Sequence, residues 1–311
     1  MNSLPMLGIV LLATFALGDL VLSGLVAIGW RVWLRRSRLS SPDLLAVRLL
    51  PAGGAALLAV MVVLPAFLDY EPPRDRESAG PWLLALAALA LAFVCHGCWR
   101  GWRAWAASRT LLHLYGPAKR WVIESGHRIR VVDAREPVMA TVGGFRPELV
   151  ASESVISACS QEEFRQVVAH EAAHISTGDN FKQLLLLVCP DAIAWTKLGT
   201  TLFDRWRIEA EFAADQRAVG DDPRLRITLA SALIKVARLF PTTQTDRHAL
   251  TMLAAEDDIE GRIRQLLGPA RNLSCAFRNA LVFFAVIMPV AAFPLHSVVH
   301  EFIETLVGLG L

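Results

Sequence analysis

Two histidines one helical turn apart are the residues of this sequence that most clearly suggest chemistry. His170 and His174 lie in the stretch VVAHEAAHISTGD, residues 167–179, and Glu171 follows the first of them. A spacing of four places both imidazoles on one side of a helix, where they can bind the same tetrahedral zinc ion. Glu171 can then accept a proton from a water molecule that the zinc activates.

A zinc ion held by two histidines needs at least one more protein ligand. The stretch RWRIEAEFAADQRAV, residues 205–219, indicates a second helix with Glu211 and Asp215 one turn apart. Glu211 completes a His-His-Glu set for one zinc ion and leaves a fourth position for water. Asp215 can orient a ligand histidine through its other ring nitrogen. Glu209 is a rival ligand, and a solvated acidic face is the alternative for the whole helix.

The elements that must position these side chains are a helix and the strands before it. Ser160 followed by Glu163 forms a capping box and predicts a helix start just ahead of the histidines, with Gly178 as its end. The buried face of that helix is predicted from apolar residues at helical spacing: Phe164, Val167, Val168, Ala172 and Ile175.

Strand-like segments precede the capping box. RWVIE and RIRVVD flank Ser125-Gly126-His127 and predict a β-hairpin. A further extended stretch covers residues 137–152. Its end is predicted to be a substrate-binding edge that pairs with a peptide as an added strand, formed by Glu148, Leu149, Val150 and Ala151.

The rest of the chain is apolar enough to cross a membrane. Of the 311 residues 54% are hydrophobic and only 19% charged, and the apolar residues are concentrated in long runs. We expect three transmembrane helices in residues 1–105, at about 4–33, 44–68 and 81–99, and a zinc metalloprotease domain at 106–272. Residues 273–311 are expected to hold a fourth, less regular span and a short tail.

The arginines beside the apolar runs predict which way the chain crosses. Four of them lie between residues 31 and 38, after the first run, and three between residues 100 and 109, after the third. Positive residues favour the cytoplasmic side. The N-terminus is therefore expected outside, as a retained anchor, and the histidines in the cytoplasm. The acidic loop at residues 69–80 suits the outer side.

Several polar features have two interpretations. Asp19, in the first span, is either functional or bonded to a neighbouring helix. Cys95 and Cys98 resemble a metal or redox pair, but a structural role fits better because no second ligand pair is evident. The apolar stretch at residues 181–203 is broken at Pro190, which leaves pieces too short to cross a bilayer. His296 and His300 fit an interfacial helix better than a metal site.

The HEAAHISTGD motif, the following EFAAD and the preceding TVGGFRPELVAS resemble the BlaR/MecR-type integral-membrane zinc metallopeptidases of bacterial antibiotic sensing. IEGRIRQLL, residues 259–267, resembles that family's closing helix, so the likeness spans roughly residues 115–268. It implies ligands His170, His174 and Glu211, a catalytic base Glu171, and supporting roles for Asp179 and Asp215. It also implies cytoplasmic cleavage of a transcriptional repressor and of the sensor itself.

The resemblance has a limit. Those sensors continue into an outer penicillin-binding domain after their last span, whereas this sequence stops at Leu311. We therefore do not expect β-lactam sensing. The HtpX and CAAX prenyl protease families share the HExxH and downstream-glutamate arrangement and give the nearest alternative.

The sequence thus predicts a multi-span α-helical membrane protein with a cytoplasmic α+β zincin-like (HExxH) metalloprotease domain. Its expected partners are one Zn²⁺ ion, the lipid bilayer and a protein or peptide substrate such as a cytoplasmic DNA-binding repressor. A net charge of +2 gives no reason to expect direct nucleic acid binding. The alternatives are a quality-control protease with many substrates and a non-catalytic zinc-binding signal transducer. No oxyanion-stabilising residue can be assigned, since His248 and Arg262 are candidates without a spacing argument.

Overall fold

The computed structural model describes residues 3–70, 79–134, 137–239 and 256–268. The described part forms two compact units. Among the described residues, one unit contains the chain up to Arg100 together with Leu186–Arg205, and the other contains Gly101–Leu185, 206–239 and 256–268. The expected fourth span, His248, His296, His300 and most of the acidic loop at 69–80 lie outside the described residues.

Three helical segments of the described chain are long and apolar enough to cross a membrane, as predicted: Leu4–Leu34, Ser41–Leu68 and Pro81–Leu114. The first is helix α1 (Ser3–Gly29) continued by a π-helical turn, Trp30–Leu34. The second joins α2 (Ser41–Leu58) through a π-helical turn, Ala59–Val63, to α3 (Leu64–Tyr70). The third, α4 (Pro81–Leu114), does not end with its apolar run but remains helical for fifteen residues beyond Trp99.

The apolar stretch at residues 181–203 is broken at Pro190, as the sequence predicted. Helix α7 (Asp179–Val188) ends before Pro190, a 3₁₀ turn follows at Ala192–Trp195, and α8 (Lys197–Val219) then begins. The connection is held by charged groups of the first unit. Arg48 pairs with Asp191, and the Asp19 carboxylate accepts a hydrogen bond from the Ala192 N–H at 2.8 Å. Asp19 is fully buried, and one of its oxygens bonds the backbone of this turn.

The second unit contains a four-stranded sheet with strand order β1-β2-β4-β3. The strands are β1 (Arg120–Glu124), β2 (His127–Val132), β3 (Met139–Val142) and β4 (Glu148–Ser152). The predicted hairpin joins β1 to β2 through Ser125 and Gly126, both at positive φ, as a tight hairpin turn requires. β4 runs parallel to β2 and antiparallel to β3.

Helices cover one face of this sheet and carry the candidate site. α5 (Glu153–Ala158), α6 (Gln161–Thr177) and α9 (Pro223–Leu239) pack on the sheet. The same unit also contains α10 (Glu256–Leu267), most of α7 and the C-terminal part of α8. Phe164, Val167 and Val168 of α6 pack with sheet residues and with α9 in one apolar core. Ala173, rather than the predicted Ala172, is the buried alanine of α6.

Glu163 fastens the N-terminus of α6 to α9. Its carboxylate accepts hydrogen bonds from the Ser160 N–H at 2.7 Å, closing the predicted capping box, and from Ser231 Oγ at 2.7 Å. Lys235 Nζ donates a third at 2.7 Å. Burial raises the pKa of Glu163, but the bonds with Lys235, Ser160 and Ser231 outweigh it and lower the pKa to about 2.

We predict that Glu163→Gln lowers the free energy of unfolding by about 1–3 kcal/mol at pH 7, because the buried carboxylate loses its charge and its charge-assisted hydrogen bonds with Lys235, Ser160 and Ser231. A depressed pKa stabilises the fold fully above the ordinary value of 4.5, and this contribution disappears as the pH falls towards 2. The deficit of the variant should therefore shrink between pH 7 and pH 3, measured by unfolding of the protein in detergent. Glu162→Gln, at the exposed neighbouring position, is the control, and an equal loss in both variants would contradict the assignment.

Candidate metal centre and active site

Helix α6 presents the two histidines towards the protein interior. Its N-cap is Ser160, and its C-cap is Gly178 at φ 67°, a left-handed conformation that glycine adopts without strain. His170 and His174 are 2% and 8% exposed. Since the helix is regular from Gln161 to Thr177, the predicted side-by-side arrangement of the two imidazoles is formed.

A carboxylate holds the Nδ1 atom of each histidine. His170 Nδ1 lies 2.8 Å from Asp215 Oδ1, and His174 Nδ1 lies 2.9 Å from Asp179 Oδ2. An Nδ1–H that donates to a carboxylate leaves Nε2 as the lone-pair nitrogen. The two Nε2 atoms are only 3.2 Å apart. Two lone pairs this close repel each other unless a proton or a metal ion lies between or beside them.

Glu211 of α8 brings a carboxylate to the same point. Its Oε2 lies 3.3 Å from His170 Nε2, and its Oε1 lies 3.5 Å from His174 Nε2. One ligand atom from each of the three residues falls within 4.8 Å of the others. Glu209 is buried on the same helix but is not part of this group.

The charges around the histidines favour a cation. The carboxylates of Glu171, Asp179, Glu211 and Asp215 are all buried, as is the guanidinium of Arg262. The Lys182 ammonium, 30% exposed, lies 2.9 Å from Asp179 Oδ1. With neutral histidines, these four acids and two bases leave two negative charges, which a divalent ion would balance.

The pKa values of the ligand residues reflect the close pairing of buried acids and bases. Burial lowers the pKa of His174, but the bonds with Asp179 and Glu211 outweigh it and raise the pKa to about 10. Burial raises the pKa of Glu211, but Arg262 and the two histidines hold it well below its ordinary value. Without a metal ion the histidines therefore retain protons, and a metal ion must displace those protons to bind. The donor set fits a zinc ion.

Glu171 lies beside the ligands with its carboxylate held in one orientation. It is 4% exposed, and Thr141 Oγ1 of strand β3 donates a hydrogen bond to Glu171 Oε2 at 2.8 Å. The sequence had suggested no role for Thr141. The strand alternation that aims its side chain at α6 becomes evident only when β3 is placed beside the helix.

Arg262 of α10 is a further site residue that the sequence named without a role. Its Nε and Nη2 atoms donate to both oxygens of Asp215 at 2.8 and 2.6 Å, and Nη1 lies 3.1 Å from Glu211 Oε2. It is 2% exposed, so the guanidinium binds carboxylates inside the protein. Leu266, an apolar residue one helical turn after Arg262, was the sequence feature that could have indicated that Arg262 faces inward.

The predicted substrate-binding edge is wrong. Glu148, Leu149, Val150 and Ala151 belong to β4, which pairs with β2 on one side and with β3 on the other. Both rows of its backbone groups are thus occupied, and Leu149 and Val150 are buried. The glycine-rich loop at residues 143–147 folds β3 back as a hairpin, so that β3 and not β4 lies at the end of the sheet near the site.

An open cleft of about 230 Å³ borders His174. Its walls come from the loop after β3 and from the junction of α6 and α7: Gly144, Phe145, Pro147, Ile175, Gly178, Asn180 and Phe181. Asn180 Nδ2 donates to the carbonyl oxygens of Thr141 and Gly143, both at 2.9 Å, and fixes the loop against α7.

Residues 131–266 match the family model described as BlaR1 peptidase M56. The matched segment contains strands β3 and β4, both histidines, all four carboxylates of the site, and Arg262. No curated protein matches the chain significantly. The family match agrees with a chain that contains both a histidine pair grouped with a downstream glutamate and helices long and apolar enough to cross a membrane. The match supports a BlaR/MecR-type M56 membrane metallopeptidase.

Proposed function

We propose that the protein is a zinc-dependent endopeptidase that cleaves a protein at the cytoplasmic face of a bacterial-type inner membrane. The convergence of His170, His174 and Glu211 within 4.8 Å is the observation that carries the proposal. The proposed substrate is a transcriptional repressor or regulator, as the family resemblance implies. The arginines after the first and third apolar runs support the cytoplasmic position.

Each site residue has a distinct proposed task. His170, His174 and Glu211 would hold one zinc ion, which when bound supplies a Lewis acid that polarises the scissile carbonyl and activates water. Glu171 accepts a proton from the attacking water and delivers it to the leaving amine. Thr141 holds the Glu171 carboxylate in position. Asp179 and Asp215 fix the histidine rings through Nδ1.

Strand β3 offers a surface for an extended peptide next to these groups. The Ser152 N–H donates to the Val138 carbonyl. Because bonded pairs alternate along an antiparallel ladder, Met139 and Thr141 direct their backbone groups away from β4. Asn180 already bonds the Thr141 carbonyl, so the Met139 backbone groups and the Thr141 N–H are the ones left to pair with a peptide. A peptide added beside β3 would lie near Glu171, and the cleft beside His174 would receive one of its side chains.

Glu171→Gln tests catalysis. We predict that it abolishes substrate cleavage but leaves the zinc content and the fold unchanged, because the amide cannot accept the proton. The measurement is a proteomic search for new protein termini in cells that contain the wild-type or the variant protein, with Glu162→Gln as control. Full processing by Glu171→Gln would favour the non-catalytic zinc-binding transducer. Loss of many unrelated termini, rather than one or a few, would favour an HtpX- or CAAX-protease-like processing enzyme.

Glu211→Gln and Glu209→Gln distinguish the two candidate ligands. We predict that Glu211→Gln lowers the zinc content well below one ion per chain, because it removes a charged ligand atom. Glu209→Gln is the matched variant, since Glu209 is a buried glutamate on the same helix outside the ligand group. Metal analysis of the purified proteins after dialysis provides the measurement. Zinc loss in Glu209→Gln alone would reverse the assignment.

Thr141→Val tests the orientation of the base. The substitution keeps the shape of the side chain but removes the hydrogen bond to Glu171. A lost hydrogen bond to a charged group is worth about 1.5–3 kcal/mol, so we predict a decrease in kcat of roughly 10- to 100-fold at unchanged zinc content. The measurement is the pH–rate profile for cleavage of a peptide taken from the identified substrate. An unchanged rate and profile would show that Thr141 does not support the base.

A further inference from the structure

Helix α10 turns two buried residues, one helical turn apart, towards the rest of its unit. Leu266 packs in an apolar cluster with Val219, Leu229 and Leu233. Arg262 is equally buried, but it meets the carboxylates of α8 instead of apolar groups. Glu260 and Arg264, on the other side of α10, are exposed. The buried face of α10 therefore makes an apolar contact through Leu266 and a charged contact through Arg262.

The guanidinium of Arg262 connects two acids with different tasks. Asp215 receives two of its N–H groups, from Nε and Nη2, and also lies 2.8 Å from His170 Nδ1. Glu211 Oε2 lies 3.1 Å from Nη1, while Glu211 Oε1 faces His174 Nε2. Arg262 thus contacts Glu211, a proposed metal ligand, and Asp215, the acid that orients the ligand His170.

This contact is needed because Glu211 and Asp215 lie one turn apart on α8 and are both buried. Two buried carboxylates at this spacing repel each other, and without a counter-charge one or the other rotates away. Either change would alter the metal centre: rotation of Glu211 removes a ligand atom, and rotation of Asp215 releases His170. Only a planar, multiply donating cation reaches both acids at once.

We infer that Arg262 is a positioning residue for the metal centre, through which the docking of α10 sets the affinity for the metal ion. The inference rests on the proposed function, since it takes His170, His174 and Glu211 as the ligands. By linkage, metal binding must also strengthen the docking of α10. The helix thereby becomes an element whose displacement would weaken the metal centre.

Co²⁺ is a suitable probe, because its visible absorption spectrum reports the ligand geometry that spectroscopically silent Zn²⁺ does not. We expect Arg262→Lys, in the full chain in detergent, to bind Co²⁺ roughly 10- to 100-fold more weakly with an altered spectrum, as for other groups that orient metal ligands. Arg262→Met should bind more weakly still. Arg264→Met, on the exposed side of the same helix, should match the wild type in affinity and spectrum.

A purely structural role for Arg262 gives a different result. Leu266→Ala loosens α10 through its apolar contact and leaves the carboxylates and the guanidinium in place. We expect this variant to bind Co²⁺ more weakly but with the wild-type spectrum. If Arg262→Lys also keeps the wild-type spectrum and loses affinity only in proportion to its thermal stability, positioning is refuted.

The coupling between metal binding and the docking of α10 can be measured separately. Removal of the metal from the wild-type protein by a chelator should increase amide hydrogen exchange in α10, and the increase should be smaller in Arg262→Met. Equal affinities and spectra for the wild type, Arg262→Lys and Arg262→Met would overturn the inference and leave the proposed function intact. Failure of the wild type to bind Co²⁺ at all would instead overturn the metal site on which both rest.

Discussion

The close approach of two imidazole nitrogens is the constraint on which the catalytic domain depends. His170 Nε2 and His174 Nε2 are 3.2 Å apart, and the Nδ1 atom of each ring is already held by a carboxylate. This arrangement is stable only with positive charge at the point that both Nε2 atoms face. Against the effect of burial, the bonds with Asp179 and Glu211 raise the pKa of His174, and Arg262 and the two histidines lower the pKa of Glu211. The second unit thus forms a binding place for a cation before any substrate is considered.

The charged groups of the first unit also depend on partners of opposite charge or on hydrogen bonds. Arg48 lies in a helix that is apolar enough to cross a membrane, and it pairs with Asp191 in the break between α7 and α8. Asp19, in another such helix, accepts the Ala192 N–H. A charge in an apolar environment persists only with a partner. Pro190 interrupts the helix and exposes backbone N–H groups, and the Asp19 carboxylate bonds one of them.

How much of this could be predicted depended on how local each feature is. The capping box, the histidine pair and the end of α6 at Gly178 are encoded within 20 residues, and all were predicted. Glu211 could be predicted because helical spacing limits which acids of one segment can face a ligand site. The strand order could not be predicted, because the sequence of residues 137–152 favours extended structure whether β3 or β4 lies at the edge of the sheet. The roles of Thr141 and Arg262 stayed hidden for the same reason, since each acts on an element far away in the chain.

The two histidines therefore differ in what they require of the fold. Asp179, the partner of His174, follows it by five residues, because Gly178 at φ 67° turns the chain back at the end of α6. That half of the site forms wherever this stretch is helical. The partner of His170 is Asp215, which arrives on α8 and is itself held by Arg262 of α10. Metal affinity then depends on the packing of three helices as well as on the HEAAH motif. An enzyme of this design can keep its motif intact and still lose its metal ion when one of those helices moves.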